Sequence, residues 1–402
     1  MGIGGGLRDY LIQKNQGFIN KVRLSKFRGK TVAVDLLNIA SRMVYRSKSI
    51  MDFRNELINF IHKFQREGIR LIWVFDGKPR TEKNMVINHR KNMRAKANKQ
   101  LQEIIDDISN DSADFVEEAE SADSVVEPVE PVEPVVELAE LVEQVEDPET
   151  IDKIAILSKR IRAITVEHIE LAKSVFDTLG IYYIHIKDME ADIILKHLLD
   201  CKFADVVFSG DMDTLAYGCK HIIQDLDFRN DLITEILYED MLHSLGVSRE
   251  QFLNALILSG TDYNRHLKYS RFADNLEFIK KYGTIPKVLE NLDQINLHVL
   301  DESKKISIPL RFDWQLSLEI FTEVLDPEII KNIRDTLEQQ RIARTRITNK
   351  MLVAFHTVIM EHDESPNKKY VKKLEDYFNW AYNLTFQKPK NTSSSVRRKL
   401  FT

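Results

Sequence analysis

The sequence predicts an α/β protein built on a doubly wound, mostly parallel sheet flanked by helices. Two observations carry this prediction. Short β-branched or apolar runs recur that are too brief for helices, and segments with helical spacing of apolar residues separate them. The chain has 402 residues, 43% hydrophobic and 30% charged, enough for a large core.

The elements follow in order. "TVAVDLL" (31–37) reads as a buried strand. The stretch 51–68 places Phe53, Leu57, Phe60, Ile61 and Phe64 on one helical face and stops at Gly68. "IRLIWVFD" (69–76) is the next strand, and a basic segment, "GKPRTEKNMVINHRKNMRAKANKQ", leaves it. After an acidic stretch the alternation resumes: a helix over 165–180, the strand "IYYIHI" (181–186), a helix over 191–200, the strand "ADVVFSG" (204–210) and a helical run, "REQFLNALIL" (249–258). Residues 303–382 read as helical without a chemical motif, and the end of the chain is basic and predicted disordered.

Charge is unevenly placed. From Asp111 to Asp147 fourteen residues are acidic and none is basic, so without them the net charge of −5 becomes +9. A body that basic suits a polyanionic partner. Pro128, Pro131 and Pro134, within Glu-Pro-Val repeats, block a stable helix there, so the acidic segment reads as a disordered or weakly helical insertion. It either extends a loop as filler or mimics DNA and occupies a basic groove until substrate displaces it. Two cysteines, Cys201 and Cys219, argue against a disulfide framework or a cysteine zinc site. No run approaches a membrane span and the N-terminus lacks a signal pattern, which predicts an intracellular protein, not secreted and with no membrane partner. Gly6 stands where a myristoylation motif needs Ser or Thr.

Carboxylates follow each strand. Asp35 ends the first, Asp76 the second, Asp188 and Glu190 follow the third, and Asp211 with Asp213 follow the fourth; Asp262 lies in "LSGTDY" beyond the run 249–258. Ligands of open α/β sheets bind outside the carboxyl ends of the strands, so these groups are expected to converge. A lone Asp at such a junction is commonly a helix cap. Four junctions together point instead to cations, because clustered carboxylates repel unless a positive charge lies among them. Oxygen ligands without His or Cys select Mg²⁺, with Mn²⁺ as a substitute, and two ions about 4 Å apart form the clamp used for in-line displacement at phosphorus. Lys83 and Arg90 lie about two helical turns apart and Arg94 one turn further, a basic face suited to a phosphate or to a solvated surface. Lys159, Arg160 and Arg162 form a second basic cluster where the acidic stretch ends, the returning side of one arch.

These residues resemble, in order, the flap endonuclease and XPG-type structure-specific 5′ nucleases. "MGIGGGLRDYL" is similar to that family's opening, "TVAVDLLN" to its first Asp strand, "VFDGKP" to its second, "DMEAD" to its EAEA element with Asp188 in place of the first Glu, "SGDMDTLAYG" to its EDMD segment, and "LSGTDY" to its GSDY. The resemblance runs from Met1 to about Leu292 and implies a PIN-like nuclease fold. Asp35, Asp76, Asp188, Glu190, Asp211, Asp213 and Asp262 then match metal ligands, with Asp211 also counted among the catalytic residues beside Lys83 and Arg90. Gly2, Arg94, Lys159, Arg160, Arg162, Arg271, Lys280 and Lys281 are the expected DNA contacts, and "NLEFIKKYGTIPKVLENL" resembles the second half of a helix, two-turn, helix element that grips duplex backbone.

The implied organisation is an N-terminal nuclease region (1–100), an arch region with the acidic insertion (101–160), an internal nuclease region with the helix, two-turn, helix element (161–295), a helical C-terminal region (296–385) and a basic tail (386–402). Three departures stand out. Tyr269, Ser270 and Arg271 replace a glycine hairpin whose carbonyls hold potassium in the family, which speaks against that site because side chains disfavour the turn. Ser41 stands where a stacking Tyr is usual, with Tyr45 one turn on, and no sliding-clamp peptide follows Gln387. Such divergence suits a large DNA virus or a rapidly evolving lineage.

The expected activity is Mg²⁺-dependent cleavage of DNA with a 5′ flap, nick or junction, in repair, replication or recombination, by a monomer in the nucleus or at a viral replication site. Resolution of four-way junctions is the alternative within the family. Two readings outside it stay open: a haloacid-dehalogenase-like phosphotransferase with Asp211 as nucleophile, which leaves Asp35, Asp76 and Asp262 unexplained, and an inert DNA-binding scaffold, against which all seven acidic positions speak.

Overall fold

Strand β2 (Thr31–Asp35) is buried at every residue and β3 (Arg70–Phe75) at all but its first, as strands covered on both faces must be. A computed structural model of the protein describes residues 6–113 and 147–341. Gly2, nearly all of the acidic segment, Gln387 and the basic tail lie outside the described residues. The described chain forms two units: one holds residues 6–39, 58–82 and 173–341, the other residues 40–57, 83–113 and 147–172.

The first unit contains a seven-stranded sheet ordered β1-β7-β6-β5-β2-β3-β4. Here β1 is Ile19–Arg23, β4 Tyr182–His185, β5 Val206–Phe208, β6 His221–Asp227 and β7 Leu232–Leu237. The run from β4 through β3, β2 and β5 to β6 is parallel, with Val34 beside both Trp73 and Phe208. β7 and β1 then add antiparallel pairs, Ile222 with Ile236 and Val22 with Ile233. The flank is a hairpin with a local cause: the Asp227 carboxylate accepts from the Arg229 and Asn230 N–H groups, and Asp231 turns left-handed at φ 56°.

Alternation along the strands divides the core. Val34, Trp73 and Phe208 face an aromatic cluster in which Phe60 stacks on Phe64 at 4.7 Å and Trp73 on Phe176 at 5.0 Å. Ala33, Ile72, Val74 and Val207 face the opposite layer. That layer includes α1 (Leu7–Gln13), α7 (Ala191–Asp200), the one-turn α8 (Asp213–Ala216), α9 (Tyr238–Leu245) and α10 (Arg249–Leu258). Ser248 opens α10 with a capping box to Gln251. Beyond it come α11 (Phe272–Tyr282), α12 (Ile285–Glu290), α13 (Leu292–Ile295), α14 (Trp314–Thr322) and α15, helical over 327–341.

The chain passes between the units within α2 (Leu36–Arg46), α3 (Ile50–Arg66) and α6 (Val166–Leu179), and in the turn Thr81–Lys83. The second unit centres on α4 (Asn84–Ala113) and α5 (Pro148–Ile161), which pack through Ala97, Leu101, Ile154 and Leu157. Asp147 starts α5 by accepting from the Glu149 and Thr150 N–H groups, with Pro148 in the first turn.

Candidate active site

The sheet order reverses at β2, whose neighbours β3 and β5 are reached in opposite directions, and this switch point is where an α/β sheet opens a crevice at its carboxyl edge. Asp35 is the last residue of β2, and Asp76, Asp188, Glu190, Asp211 and Asp213 follow the C-terminal ends of β3 to β5. Asp35 is 6% exposed and Asp213 1% exposed. Asp35 accepts from the Asn38 N–H at 3.0 Å and from Ser209 Oγ at 2.9 Å. Ser209 in turn accepts from the Asp211 N–H at 3.1 Å, and the Asp211 carboxylate accepts from the Asp213 N–H at 3.1 Å. One buried hydroxyl thus ties the ends of β2 and β5 together. The Asn38 amide oxygen adds a second tie, accepting from the Gly210 N–H at 3.0 Å.

Asp76 and Glu190 form the other half. The Asp76 carboxylate accepts from the Ala191 N–H at 2.7 Å, serving as the N-terminal cap of α7 from a different strand end. Glu190 precedes that helix, 5% exposed, and both its oxygens are engaged: Oε1 by the Arg80 N–H at 3.3 Å, Oε2 by the Tyr263 hydroxyl. Tyr263 adjoins Asp262, so its hydroxyl links the loop after α10 to the strand-end carboxylates. Burial and the Glu190 charge push the Tyr263 phenol far above its ordinary range, so it stays a donor.

Gly77 explains how the two loops approach. Its N–H donates to the Met189 carbonyl at 2.7 Å, and a Cβ there would lie 2.2 Å from the Ile186 carbonyl oxygen. Only glycine lets the Asp76 loop lie against the loop carrying Asp188 and Glu190.

The electrostatics fit a hard cation. Burial, then the charge of Asp76 and that of Asp211, push the Asp35 carboxyl up to about 7, against the hydrogen bonds from Asn38 and Ser209. Mutual repulsion of this kind is what a divalent ion relieves. Among the described residues no three His, Cys, Asp or Glu side chains are already drawn together as a ligand set. The fit therefore rests on the donor chemistry and on the repulsion felt by Asp35.

The basic residues divide between the units. Lys83 ends the turn Thr81–Lys83, with Arg90 and Arg94 on α4, and Lys159, Arg160 and Arg162 lie on or just after α5, all in the second unit. There Arg162 donates to the Tyr45 carbonyl at 3.2 Å. In the first unit Arg271 caps α11, Lys280 pairs with Glu277 at 3.1 Å, and Lys281 lies over the Tyr282 ring at 5.0 Å. The expectation that residues with Cβ atoms avoid the turn before α11 fails at one position: Tyr269 takes the left-handed conformation at φ 60°, with its side chain in solvent. Sequence reading passed over Ser209, Asn38, Gly77, Arg80 and Tyr263. Gly77 in "VFDGKP" and Ser209 in "SGDMD" were visible beside the acids, but nothing local marks a hydroxyl that bridges two strands.

The XPG N-terminal domain matches residues 1–97, which carry Asp35 and Asp76, and the XPG I-region matches residues 180–262, which carry the other five carboxylates. The chain belongs to the XPG family. Flap endonuclease 1 of Tetrahymena thermophila is 22% identical to this XPG-family chain over 420 residues, covering 97% of it and 94% of the relative. Flap endonuclease 1 of Aedes aegypti is 26% identical over 269 residues, 66% of this chain and 57% of the relative. Among solved structures, the catalytic core of Rad2 in complex with a DNA substrate superposes with a TM-score of 0.54 at 16% identity, covering 84% of this chain and 95% of that one. The Holliday junction-resolving enzyme GEN1 with product DNA and Mg²⁺ gives 0.51 at 14% identity, covering 85% and 71%. These structural likenesses establish a shared nuclease fold.

Proposed function

We propose that this protein is a metal-dependent, structure-specific 5′ nuclease that hydrolyses DNA phosphodiesters. The observation that carries the reading is the linkage of acidic residues at the carboxyl edge of β2 to β5, where buried Asp35 feels both Asp76 and Asp211. Family membership favours DNA as substrate and Mg²⁺ as the ion, and it favours a nuclear site of action. Asp35, Asp76, Asp188, Glu190, Asp211, Asp213 and Asp262 are the residues proposed to hold two Mg²⁺ ions. Bound there, the ions supply charge neutralisation at the scissile phosphate and activation of water near neutral pH.

The chain's own groups have separable tasks. Ser209 and Asn38 fix the Asp35 and Asp211 ends of their strands, and Asp213 is held in the first turn of a fully buried helix. Tyr263 and the Arg80 backbone orient Glu190. Lys83 and Arg90 are proposed, on their spacing from "VFDG", to place positive charge against the phosphate. Arg271, Lys280 and Lys281, exposed on one helix end or the other, are proposed to hold duplex backbone.

The test is cleavage of 5′-flap, nicked, blunt duplex and four-way junction DNA with Mg²⁺. Flap cleavage by the wild type, with Asp211→Ala and Asp213→Ala reduced by at least about a thousandfold, is expected. Either variant cutting at the wild-type rate sinks the reading, and cleavage confined to the four-way junction replaces it with junction resolution.

A further inference from the structure

The segment from α14 to the last described turn of α15 contacts the supports of Glu190 in four places. The Phe321 ring meets the Tyr217 ring edge-on at 5.0 Å and the Tyr263 ring at 5.6 Å; Tyr263 is the residue whose hydroxyl engages Glu190. Glu323 pairs with the Arg80 guanidinium, and the Arg80 N–H donates to the other Glu190 oxygen. The Leu325 N–H donates to His197 Nε2 at 3.2 Å, on α7, the helix that Glu190 opens. Last, Gln340 reads the open edge of the sheet. Its side-chain carbonyl accepts from the Tyr183 N–H at 3.0 Å and its NH₂ donates to the Tyr183 carbonyl at 2.8 Å.

The last contact has a specific chemistry. Among the described residues β4 pairs with β3 alone, so no described strand lies beside the outward backbone groups of Tyr183. A primary amide offers one donor and one acceptor at the spacing of a peptide group, so Gln340 stands in for a missing neighbour at one residue. β4 leads within a few residues to Asp188 and Glu190.

We propose that residues 314–341 form a latch that positions the Asp188 and Glu190 half of the carboxylate site, with Glu323 and Gln340 as its positioning residues. The inference rests on the reading of Glu190 as a metal-site carboxylate. The latch touches no substrate. It ties the edge strand, the last turn of α7 and the Arg80 loop to one another, and so fixes the direction in which a buried carboxylate with two engaged oxygens presents its charge. Supports of this kind set metal affinity by about 10- to 100-fold.

The test uses the full chain and the variants Gln340→Met, which keeps length and loses both amide bonds, Glu323→Gln, and the swap Arg80→Glu with Glu323→Arg. Mn²⁺ binding without DNA is followed by electron paramagnetic resonance, amide exchange over residues 183–190 by mass spectrometry, and flap cleavage across a metal titration. In Gln340→Met and Glu323→Gln, Mn²⁺ binding is expected to weaken about tenfold, with faster exchange over 183–190 and an unchanged KM for DNA. The swap is expected to recover most of the loss. Unchanged Mn²⁺ affinity in both single variants overturns the latch, as does a swap that binds Mn²⁺ no better than Glu323→Gln. A wild type that binds Mn²⁺ but cuts no DNA sinks the nuclease reading alone, and one that binds no Mn²⁺ overturns both.

Discussion

Asp35 shows how a single side chain carries the cost of the site. Its carboxyl is raised from 3.8 to about 7 by burial and by neighbouring charge, so the folded state binds that proton more tightly than the unfolded state. Its contribution to stability is therefore full below about pH 4 and is lost as pH rises through 7. Asp35→Asn keeps the neutral form at every pH. In metal-free protein the variant is expected to melt a few degrees above wild type at pH 8 and to show a smaller gain at pH 5, by calorimetry. Added Mg²⁺ is expected to raise the wild-type midpoint at pH 8 and to leave the variant nearly unmoved. Tyr269 carries a smaller local cost: its left-handed backbone is disfavoured for a side chain with a Cβ atom, and the ring is 62% exposed. Tyr269→Gly is expected to stabilise by about 0.5–1 kcal/mol in chemical denaturation.

At the scale of elements, the site depends on how closely loops approach. Gly77→Ala sets a methyl group against backbone oxygen, which only a shift of the Asp76 or Glu190 loop can relieve. A loss of about 1–3 kcal/mol in urea unfolding, together with a collapse of cleavage, is expected. His197 reports on the α7 end of the C-terminal segment. Burial lowers its pKa below 6.5, against the pull of Asp200, so the neutral ring favoured in the fold accepts from the Leu325 N–H. The stabilisation is full above pH 6.5 and falls as pH drops below it, because the unfolded state then takes up the proton first. Amide exchange at Leu325, corrected for its intrinsic pH dependence, is expected to accelerate below pH 6. Elements were legible where period and punctuation agreed: β2, β3, β4, β5 and the helix ending at Gly68 lie where their apolar runs placed them. β1, β6 and β7 were not, because "INKVR" and "HIIQDLD" mix charge with apolar residues on a half-covered flank, and their pairing is set by partners far along the chain.

At the scale of the whole molecule, the acidic residues were legible from their positions after strands, while the groups that hold them were not. Ser209, Tyr263 and Gln340 act across 174, 73 and 157 residues of sequence, and no local pattern announces such partners. Charge also acts at this scale. Once the segment from Asp111 to Asp147 is set aside the chain is strongly basic, so DNA binding by Asp213→Asn is expected to fall roughly a thousandfold between 50 and 200 mM salt for about six phosphate contacts, by fluorescence anisotropy. Binding insensitive to salt removes the polyanion reading.

The place of β1 has a further consequence, for synthesis. Ile19–Arg23 is made early, yet its strand partner among the described residues is Leu232–Leu237. At about 5–20 residues per second, the ribosome leaves that early strand unpaired for roughly 10–40 seconds. Asp262 emerges later still. A nascent chain of this protein thus lacks its completed sheet until Leu237 has been made, and the price is a long interval in which an unpaired strand needs shielding from its neighbours on the same message.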